Sequence, residues 1–473
     1  MNAQIIDAVK AANQEQLLKF VDKLDAAQLA AFESQLAELD FSELNKLASE
    51  YVTTKPVTNI PNDLTPPEYF PAVPKTAEQA ALYEKAYKHG EELIRKGRVC
   101  CLTVAGGQGT RLGFDGPKGT YPIGPVTGKS LFNYFADNIY RTQEKYNTTI
   151  AWYIMTSPVN DADTRKFFAD NNYFNLSKEQ IFFFTQGTMP AFDLEGKLLL
   201  AEYGSLSLSP NGHGGTLLAL RKSGALDDMK SRNADIISYF QVDNPLVPAA
   251  NPLFIGLHNL EASEMSAVML AKTGPKEKLG NFCVSNGRLQ IIEYSDLPDE
   301  LAEKRNSDGS LAFVAGSPAI HVISRDFVER LTEGNSLKLP WHRADKKIPY
   351  IDGNGSLVKP EEPNGVKLES FIFDALPLAN RTMILECKRE DVFGPTKNPT
   401  GVDSVESCRD MLVDRDARRL EAAGVVIPRK ADGSCDCRIE LSAKVVIDNE
   451  DAKEYCKAKQ LVAIAQGESV YLD

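Results

Sequence analysis

The chain has 473 residues, which is too long for one ordinary domain and predicts two or three. Hydrophobic residues make up 43% and charged residues 25%, the composition of an ordinary globular protein, which excludes wholesale disorder, collagen and coiled coil. The net charge of −12 argues against nucleic-acid binding, and no apolar run reaches the ~18 residues that a membrane span needs.

The N-terminus shows neither the charged nor the apolar segment of a signal peptide, and the eight cysteines are scattered along the chain. We therefore expect free thiols and a cytoplasmic location. Cys435 and Cys437 are closely spaced, but a zinc site needs a second pair of ligands, and the sequence has none at a suitable spacing.

The first part of the chain has a helical pattern. Apolar residues recur every three to four positions within residues 1–55, and a segment rich in proline follows at 56–74. Proline fixes φ and removes a hydrogen-bond donor, so we predict an extended connector there. Residues 1–75 are therefore interpreted as a helical N-terminal region with its linker, followed by a helix at 77–96.

The pattern changes to short apolar runs that alternate with helical segments, which predicts an α/β domain with a Rossmann-like, mainly parallel mixed sheet. The runs lie at 98–105, 149–156, 180–185, 236–242, 266–271, 313–323 and 382–386, and the helical segments include 130–145, 161–171 and 215–223. We assign residues 76–400 to this domain. Residues 401–473 are predicted to form a small β-rich C-terminal domain, with strands at 438–441, 444–448, 461–464 and 469–472.

Three glycines, Gly106, Gly107 and Gly109, follow the first apolar run, and Arg111 comes directly after them. Glycines let backbone amides approach a ligand closely, and arginine adds a permanent planar charge, so this loop is a candidate phosphate site. The spacing does not fit a Rossmann fingerprint, because Leu112 stands where the third glycine is required.

Two lysines lie in turns that contain proline, Lys118 and Lys397, and Asp243 ends an apolar strand. Ligands of parallel sheets bind beyond the carboxyl ends of the strands, and a carboxylate placed there suits a nucleotide that carries Mg²⁺. We expect Arg111, Lys118 and Lys397 to form a cluster of positive charge in an acidic protein.

These segments together resemble the eukaryotic-type UDP-sugar pyrophosphorylases, most closely the group that acts on N-acetylhexosamines. The similar blocks occur in the same order, at 102–118, 186–191, 210–215, 242–244, 278–281, 292–295, 346–350, 367–374 and 393–398. Several blocks in order are far more specific than any single motif.

The resemblance implies a GT-A-like nucleotidyltransferase that converts UTP and a sugar-1-phosphate to a UDP-sugar and pyrophosphate, with Mg²⁺ (or Mn²⁺). The implied catalytic residues, which neutralise phosphate charge, are Arg111, Lys118 and Lys397. The implied nucleotide contacts are Ala105, Gly106, Gly107, Gln186, Gly212 and Asp243, of which Asp243 is also the metal ligand. The implied sugar contacts are His213, Gly280, Glu293 and Ser317.

The sequence departs from the N-acetylhexosamine group at His213 and Ser317, where asparagine is usual. N-acetylglucosamine-1-phosphate is the favoured substrate, with glucose- or galactose-1-phosphate as the alternative. A catalytically silent UDP-sugar-binding protein, with its N-terminal helices as a partner surface, is a second alternative. A transferase that consumes UDP-sugar is a third, although such enzymes favour a D-x-D motif and Asn244 follows Asp243 here.

Overall fold

Two units of the fold carry the predicted site residues. The computed structural model describes residues 1–56 and 60–473. Unit 1 comprises Met1–Ile60, Gln186–Thr216 and Lys338–Ala375, and unit 2 comprises Pro61–Thr185, Leu217–Leu337 and Leu376–Asp473. The boundaries predicted at 75/76 and 400/401 stay a prediction.

The α-helices of the described residues are α1 (Ala3–Ala11), α2 (Ala26–Ala37), α3 (Phe41–Leu47), α4 (Ala77–Arg95), α5 (Leu131–Tyr146), α6 (Asp161–Asp170), α7 (Thr216–Lys222), α8 (Ala225–Ser231), α9 (Pro252–Leu260), α10 (Asp299–Ala302), α11 (Arg325–Leu331), α12 (Arg389–Val392), α13 (Val405–Ala422) and α14 (Asn449–Lys459). The helices start where the sequence supplies caps. The side chains of Thr76, Ser130 and Ser404, for example, accept from backbone amides in the first turns of α4, α5 and α13.

The strands of the described residues are β1 (Val99–Val104), β2 (Trp152–Thr156), β3 (Ile181–Thr185), β4 (Thr188–Pro190), β5 (Phe192–Asp193), β6 (Leu200–Glu202), β7 (Ser205–Leu206), β8 (Leu208–Pro210), β9 (Ile236–Gln241), β10 (Met265–Ala271), β11 (Gly280–Ser285), β12 (Arg288–Ile292), β13 (Ala315–Ser317), β14 (His321–Ser324), β15 (His342–Lys346), β16 (Tyr350–Ile351), β17 (Leu357–Val358), β18 (Gly365–Glu369), β19 (Thr382–Glu386), β20 (Arg438–Leu441) and β21 (Ser469–Leu472).

The mixed sheet of unit 2 has the strand order β12-β11-β13-β10-β14-β9-β1-β2-β3 within the described residues, and β19 pairs with β10. The strands β9, β1, β2 and β3 are parallel neighbours, with Leu102 opposite both Tyr153 and Tyr239. On the other side, β14 pairs antiparallel with both β9 and β10. This architecture confirms the predicted α/β fold and places the carboxyl ends of β1, β2 and β9 at one edge.

Each of the two units has a hydrophobic core of its own. The core of unit 2 is rich in aromatic residues from strands and helices, such as Trp152, Phe132 and Phe240. The core of unit 1 joins Phe32 and Leu36 of α2 to Phe192 of β5 and Leu368 of β18. The helical N-terminal region predicted from the sequence is therefore confirmed, and its helices bury an apolar face against the strands of the same unit.

The C-terminal part contains the first and the last of its four predicted strands. The parallel strands β20 and β21 pack with α13 and α14 around Ile439 and Leu441. The strand predicted at 444–448 was wrong: the amides of Val445 and Val446 both donate to the Ser442 carbonyl and close a turn. The segment 461–464 makes only an isolated bridge, between Val426 and Ala463.

Two further predictions differ from the structure in detail. The run at 313–323 is two strands, β13 and β14, because Pro318 intervenes and Ala319 adopts a φ of +59°. The described part of the proline-rich connector forms no helix, as predicted, but it is only partly extended, with a turn at 62–63 and a bend at 72–73. Phe70 exchanges backbone hydrogen bonds with Ile384 and Glu386 of β19. Residues 57–59 of that connector lie outside the described residues. Within 1–56 and 60–473, no helix is long and apolar enough to cross a membrane.

Helices α4 and α9 of unit 2 approach each other so closely that only glycine fits at their crossing. A Cβ atom on Gly256 would lie 1.8 Å from the carbonyl oxygen of Ala86 in α4, and one on Gly90 would lie 1.9 Å from that of Pro252 in α9. Any larger residue at either position forces the helices apart.

We predict that Gly256→Ala lowers the free energy of unfolding by about 1–3 kcal/mol, the usual cost of overpacking a close-packed core. Urea denaturation would measure the change. The matched control is Gly274→Ala, because a Cβ there meets nothing within 4 Å. Equal stability of the two variants would contradict the close helix contact.

Candidate functional site

The glycine loop is fixed at the carboxyl end of β1 by backbone contacts and one buried asparagine. The Ala105 amide donates to Met155 O (2.7 Å), and the Lys118 amide donates to Gly107 O (3.0 Å). The side-chain amide of Asn160, which is fully buried, donates to Ala105 O (2.9 Å) and Gly107 O (3.3 Å). The loop therefore keeps a defined shape, and a Cβ on Gly107 would meet nothing within 4 Å.

Lys118 and Asp243 meet at this edge. The Lys118 Nζ lies 3.7 Å from Asp243 Oδ2, and both side chains are largely buried, with 16% and 12% of their surface exposed. Asp243 follows β9, and its carbonyl oxygen accepts from the Thr396 amide (2.8 Å). The structure thus brings together the predicted phosphate loop, the predicted metal ligand and one of the predicted catalytic lysines.

The turn that carries Lys397 is also held by an asparagine. The Asn244 side chain donates to Val392 O (2.8 Å) and accepts from the Gly394 amide (3.0 Å). Lys397 Nζ lies 5.7 Å from the centre of the Phe393 ring, and no carboxylate within 4.0 Å of it is recorded in the described part of the chain. The backbone of this turn therefore positions Lys397, and its ammonium forms no close ion pair within the described residues.

Asp403 is a site neighbour with a strained backbone. Its φ is +55°, and its carbonyl oxygen accepts from the Lys397 amide (2.7 Å) and the Asn398 amide (3.0 Å). Burial raises the pKa of the Asp403 carboxyl, the Lys397 ammonium lowers it, and the Asp243 carboxylate adds to the increase. The unusual φ is therefore the conformation that closes the Lys397 turn.

A cavity of about 110 Å³ joins the phosphate side to the predicted sugar side within unit 2. Its lining includes Asp243 and Lys397 together with Gly280 and Ser317. Gly280 of β11 pairs with Ser317 of β13, and a Cβ on Gly280 would lie 3.7 Å from Glu293 Oε1. Three of the four predicted sugar residues therefore cluster beside Lys397, one of the predicted catalytic lysines.

A larger cavity, of about 720 Å³, lies in the C-terminal part and is an unsuitable phosphate site. It is lined by five carboxylates, Asp410, Asp414, Asp432, Asp436 and Glu468, and by only two basic residues, Lys430 and Arg438. This charge distribution repels a triphosphate. The smaller cavity with Lys397 is the better candidate despite its size.

Gln186 and Gly212 lie together in unit 1. The buried Gln186 side chain donates to Gly212 O (2.6 Å), and Gly212 has a φ of +86°. A Cβ on Gly212 would lie 2.2 Å from Ser370 O, so this turn requires glycine for two reasons. The contact shows that the two predicted nucleotide residues are neighbours, and their roles stay a prediction.

His213 is tied to neighbouring aromatic residues of unit 1. Its Nδ1 accepts from the Ile372 amide (3.2 Å), and its ring stacks on Phe371 with centroids 5.3 Å apart. Burial lowers the pKa of His213 to about 4, and the neighbouring His342 ring contributes to the decrease. The imidazole is therefore neutral near pH 7, with one nitrogen already used inside the protein.

Arg111 lies on the exposed side of the glycine loop, in the short turn Thr110–Leu112. No hydrogen bond or ion pair of its side chain is recorded among the residues the structure describes. Next to it, the buried Oε1 atom of Gln108 also has no recorded hydrogen-bond partner. A buried polar atom without a partner is unusual and is consistent with a ligand at this loop.

The residues present fit a Mg²⁺ that arrives with a nucleotide. The Asp243 carboxylate would supply one hard oxygen ligand, and phosphates and waters would complete the shell of such a metal. No group of three or more candidate protein ligands exists within the described residues. A self-contained metal site is therefore not built into this part of the chain, and the metal role of Asp243 stays a prediction.

Sequence reasoning missed the residues that hold the site rather than line it. Asn160 and Asp403 belong to no recognised motif, and Asn244 was noticed only as part of a motif. Their partners are distant in sequence: Asn160 is 55 residues from Ala105, and Asn244 is 150 residues from Gly394. Of these three residues, only Asn244 could have been found from the sequence, because it is an amide at the end of an apolar strand.

Comparison with known proteins adds independent evidence. The family model described as UTP–glucose-1-phosphate uridylyltransferase matches residues 42–443. The chain is 34% identical over 467 residues to a probable UDP-N-acetylglucosamine pyrophosphorylase of Dictyostelium discoideum, covering 95% of this chain and 94% of that protein. It is also 34% identical over 461 residues to the UDP-N-acetylglucosamine pyrophosphorylase of Saccharomyces cerevisiae, covering 95% and 93%.

A solved structure agrees with these matches. The uridine diphosphate N-acetylglucosamine pyrophosphorylase of Trypanosoma brucei superimposes with a TM-score of 0.82 at 25% sequence identity. The superposition covers 99% of this chain and 97% of that one. The similarity therefore extends over both units and the C-terminal part.

The low pKa of His213 leads to a prediction about stability. The unfolded chain binds a proton here below pH ~6.5, whereas the folded state does not until about pH 4. Above pH ~6.5 the ring is neutral in both states, and the free energy of unfolding has its full value. As the pH falls from 6.5 to 4, only the unfolded chain gains the proton, so the free energy of unfolding decreases. We expect His213→Asn to lose less stability over that range than the unsubstituted protein.

Urea denaturation at several pH values between 7 and 4 would measure the difference. His258, whose pKa burial lowers to about 3, is present in both proteins and cancels in the comparison. Identical pH dependence of the two proteins would show that His213 does not carry the effect.

Proposed function

Because the chain belongs to the UTP–glucose-1-phosphate uridylyltransferase family, we propose that it makes a UDP-sugar and pyrophosphate from UTP and a sugar-1-phosphate. N-acetylglucosamine-1-phosphate is the favoured sugar substrate. The observation that carries the proposal is the cavity in which Lys397 and Asp243 meet Gly280 and Ser317. The names of the Dictyostelium and Saccharomyces relatives support the choice of sugar.

The reaction needs no protein nucleophile. A phosphate oxygen of the sugar-1-phosphate attacks the α-phosphorus of UTP in line, and pyrophosphate leaves. Catalysis then consists of positioning the two phosphates and neutralising their charge. Lys118 and Lys397 are the groups proposed to neutralise charge at the α-phosphate and the incoming sugar phosphate.

The other residues have proposed binding roles. The loop formed by Ala105, Gly106 and Gly107 presents backbone amides to the UTP phosphates, and the exposed guanidinium of Arg111 adds a bidentate partner. Gln186 and Gly212 are proposed to contact the uracil. Gly280, Glu293 and Ser317 are proposed to contact the sugar, and so is His213, although its Nδ1 already accepts from Ile372.

We propose that Asp243 holds Mg²⁺ (or Mn²⁺). The metal, when bound, would supply charge neutralisation on the phosphates. The Lys118 ammonium is 3.7 Å from the same carboxylate, so Lys118 needs a new partner when the metal is held, and a phosphate oxygen is suitable. A cytoplasmic location stays a prediction from the sequence.

A panel of sugar-1-phosphates with UTP tests the proposed function. Pyrophosphate release and UDP-sugar formation would be measured with N-acetylglucosamine-, glucose- and galactose-1-phosphate. We expect kcat/KM to be at least ~10-fold higher for N-acetylglucosamine-1-phosphate, because a site that hydrogen-bonds a substituent discriminates against substrates that lack it. A preference for glucose- or galactose-1-phosphate would correct the sugar, and binding of UDP-sugar without turnover would contradict the activity.

Lys397→Ala tests the catalytic centre. The substitution removes a charge that is proposed to act in the transition state, so kcat should fall ~10²-fold or more, the scale of one lost electrostatic donor. The matched control is Lys388→Ala, since Lys388 is exposed and lies in the same segment of the chain. Thermal denaturation would verify that both variants are folded. A kcat for Lys397→Ala close to that of the control would exclude this role.

A further inference from the structure

One lysine of unit 2 is buried behind the predicted sugar residues. Lys272 directly follows β10, and only 6% of the residue is exposed. Its amide donates to Val314 O (2.9 Å), and its side chain passes along Gly316, where a Cβ would lie 3.1 Å from Lys272 Cγ. A buried ammonium is costly unless it has specific partners, so its position needs an explanation.

The ammonium group of Lys272 has such a partner in the side-chain oxygen of Asn281, to which it donates a hydrogen bond. Asn281 is itself 2% exposed. Its side-chain amide donates to Leu279 O (3.4 Å) and to Ile292 O (3.3 Å). Lys272 therefore fixes Asn281, and Asn281 ties the beginning of β11 to the end of β12.

Lys272 contacts Asn281 and lies beside Gly316, and Asn281 in turn contacts Ile292. These three residues are the sequence neighbours of the three predicted sugar-side residues of unit 2. Asn281 follows Gly280, Gly316 precedes Ser317, and Ile292 precedes Glu293. We propose that Lys272 is a positioning residue that sets the relative placement of Gly280, Ser317 and Glu293 through Asn281 and Gly316. This inference rests on the proposed function, because it concerns how the same site recognises the sugar of a sugar-1-phosphate.

The electrostatic surroundings agree with a geometric role. Burial lowers the pKa of the Lys272 ammonium, while the Cys283 thiol and the Glu277 carboxylate act in the opposite direction. The Glu277 carboxylate itself is engaged elsewhere, since it accepts from the Thr273 amide (2.7 Å) and from Arg389 (2.5 Å). The hydrogen-bond partner of the Lys272 ammonium is thus the neutral amide of Asn281, and Lys272 forms no ion pair with the residues that the structure describes.

Lys272→Met is the main test, because methionine keeps most of the volume and apolar length but removes the donor. We expect the KM for N-acetylglucosamine-1-phosphate to rise ~10-fold or more, since displacement of binding groups by about 1 Å is costly. The KM for UTP should change less than ~2-fold, because the glycine loop does not depend on Lys272. A purely structural role would lower the melting temperature without this division between the two substrates.

The matched control is Lys145→Met. Lys145 is also a largely buried lysine, with 13% of its side chain exposed, and it pairs with Asp448 and Asp451 between α5 and α14. The control should lose stability but keep both KM values. If Lys272→Met and Lys145→Met behave alike, or if Lys272→Met raises both KM values equally, the inference is wrong.

A second variant decides the matter if Lys272→Met does not fold. Asn281→Asp keeps an acceptor for Lys272 but loses the two donations to Leu279 O and Ile292 O. The KM for the sugar phosphate should rise selectively, and unchanged kinetics would overturn the inference. The unsubstituted protein separates the two hypotheses: if it makes no UDP-sugar, the proposed function fails, whereas an active protein with an unaffected variant refutes only the role of Lys272.

Discussion

The central constraint on this site is that it must present positive charge inside a protein with a net charge of −12. Nearby carboxylates would otherwise occupy the cations that phosphates need. Lys118 faces Asp243 at 3.7 Å, and the proposed function requires this pair to separate when a phosphate binds the lysine and a metal binds the carboxylate. Lys397 lies beside the Phe393 ring, and its charge lowers the pKa of the Asp403 carboxyl without forming a close ion pair among the described residues. Arg111 lies on the exposed side of the loop.

Neutral buried amides provide the positioning that ion pairs provide in other sites. Asn160 holds two carbonyl groups of the glycine loop, and Asn244 holds both ends of the turn before Lys397. Asn281 holds the carbonyl group that precedes β11 and the last one of β12. Each amide is at most 4% exposed, so its hydrogen bonds are strong and do not compete with water. An amide adds no charge, and therefore it orders the backbone without weakening the field of the lysines.

The sequence was sufficient for features that local patterns determine. Apolar periodicity predicted the strands of the parallel half of the sheet, because strands buried on both faces read as apolar runs. It failed where local geometry interrupts such a run, as at Pro318 and at the turn after Ser442. The motifs supplied the charged site residues, but Asn160 and Asn244 have partners 55 and 150 residues away, and a single sequence does not reveal such pairs. Lys272 and Asn281 are only 9 residues apart, but their contact belongs to no recognised motif.

The two sides of the cavity have different tasks, and their chemistry differs accordingly. Every sugar-1-phosphate carries the same phosphate, so Lys118 and Lys397 cannot distinguish one sugar from another. Discrimination must come from groups that touch the sugar ring, and there the chain offers the close backbone approach at Gly280 and the hydroxyl of Ser317. That hydroxyl oxygen already accepts from the Ala319 amide (3.4 Å), which leaves its proton for donation. Under the proposed function, the choice of sugar depends on the placement of these two groups and of the neighbouring Glu293 carboxylate, and therefore also on the buried residues that hold them.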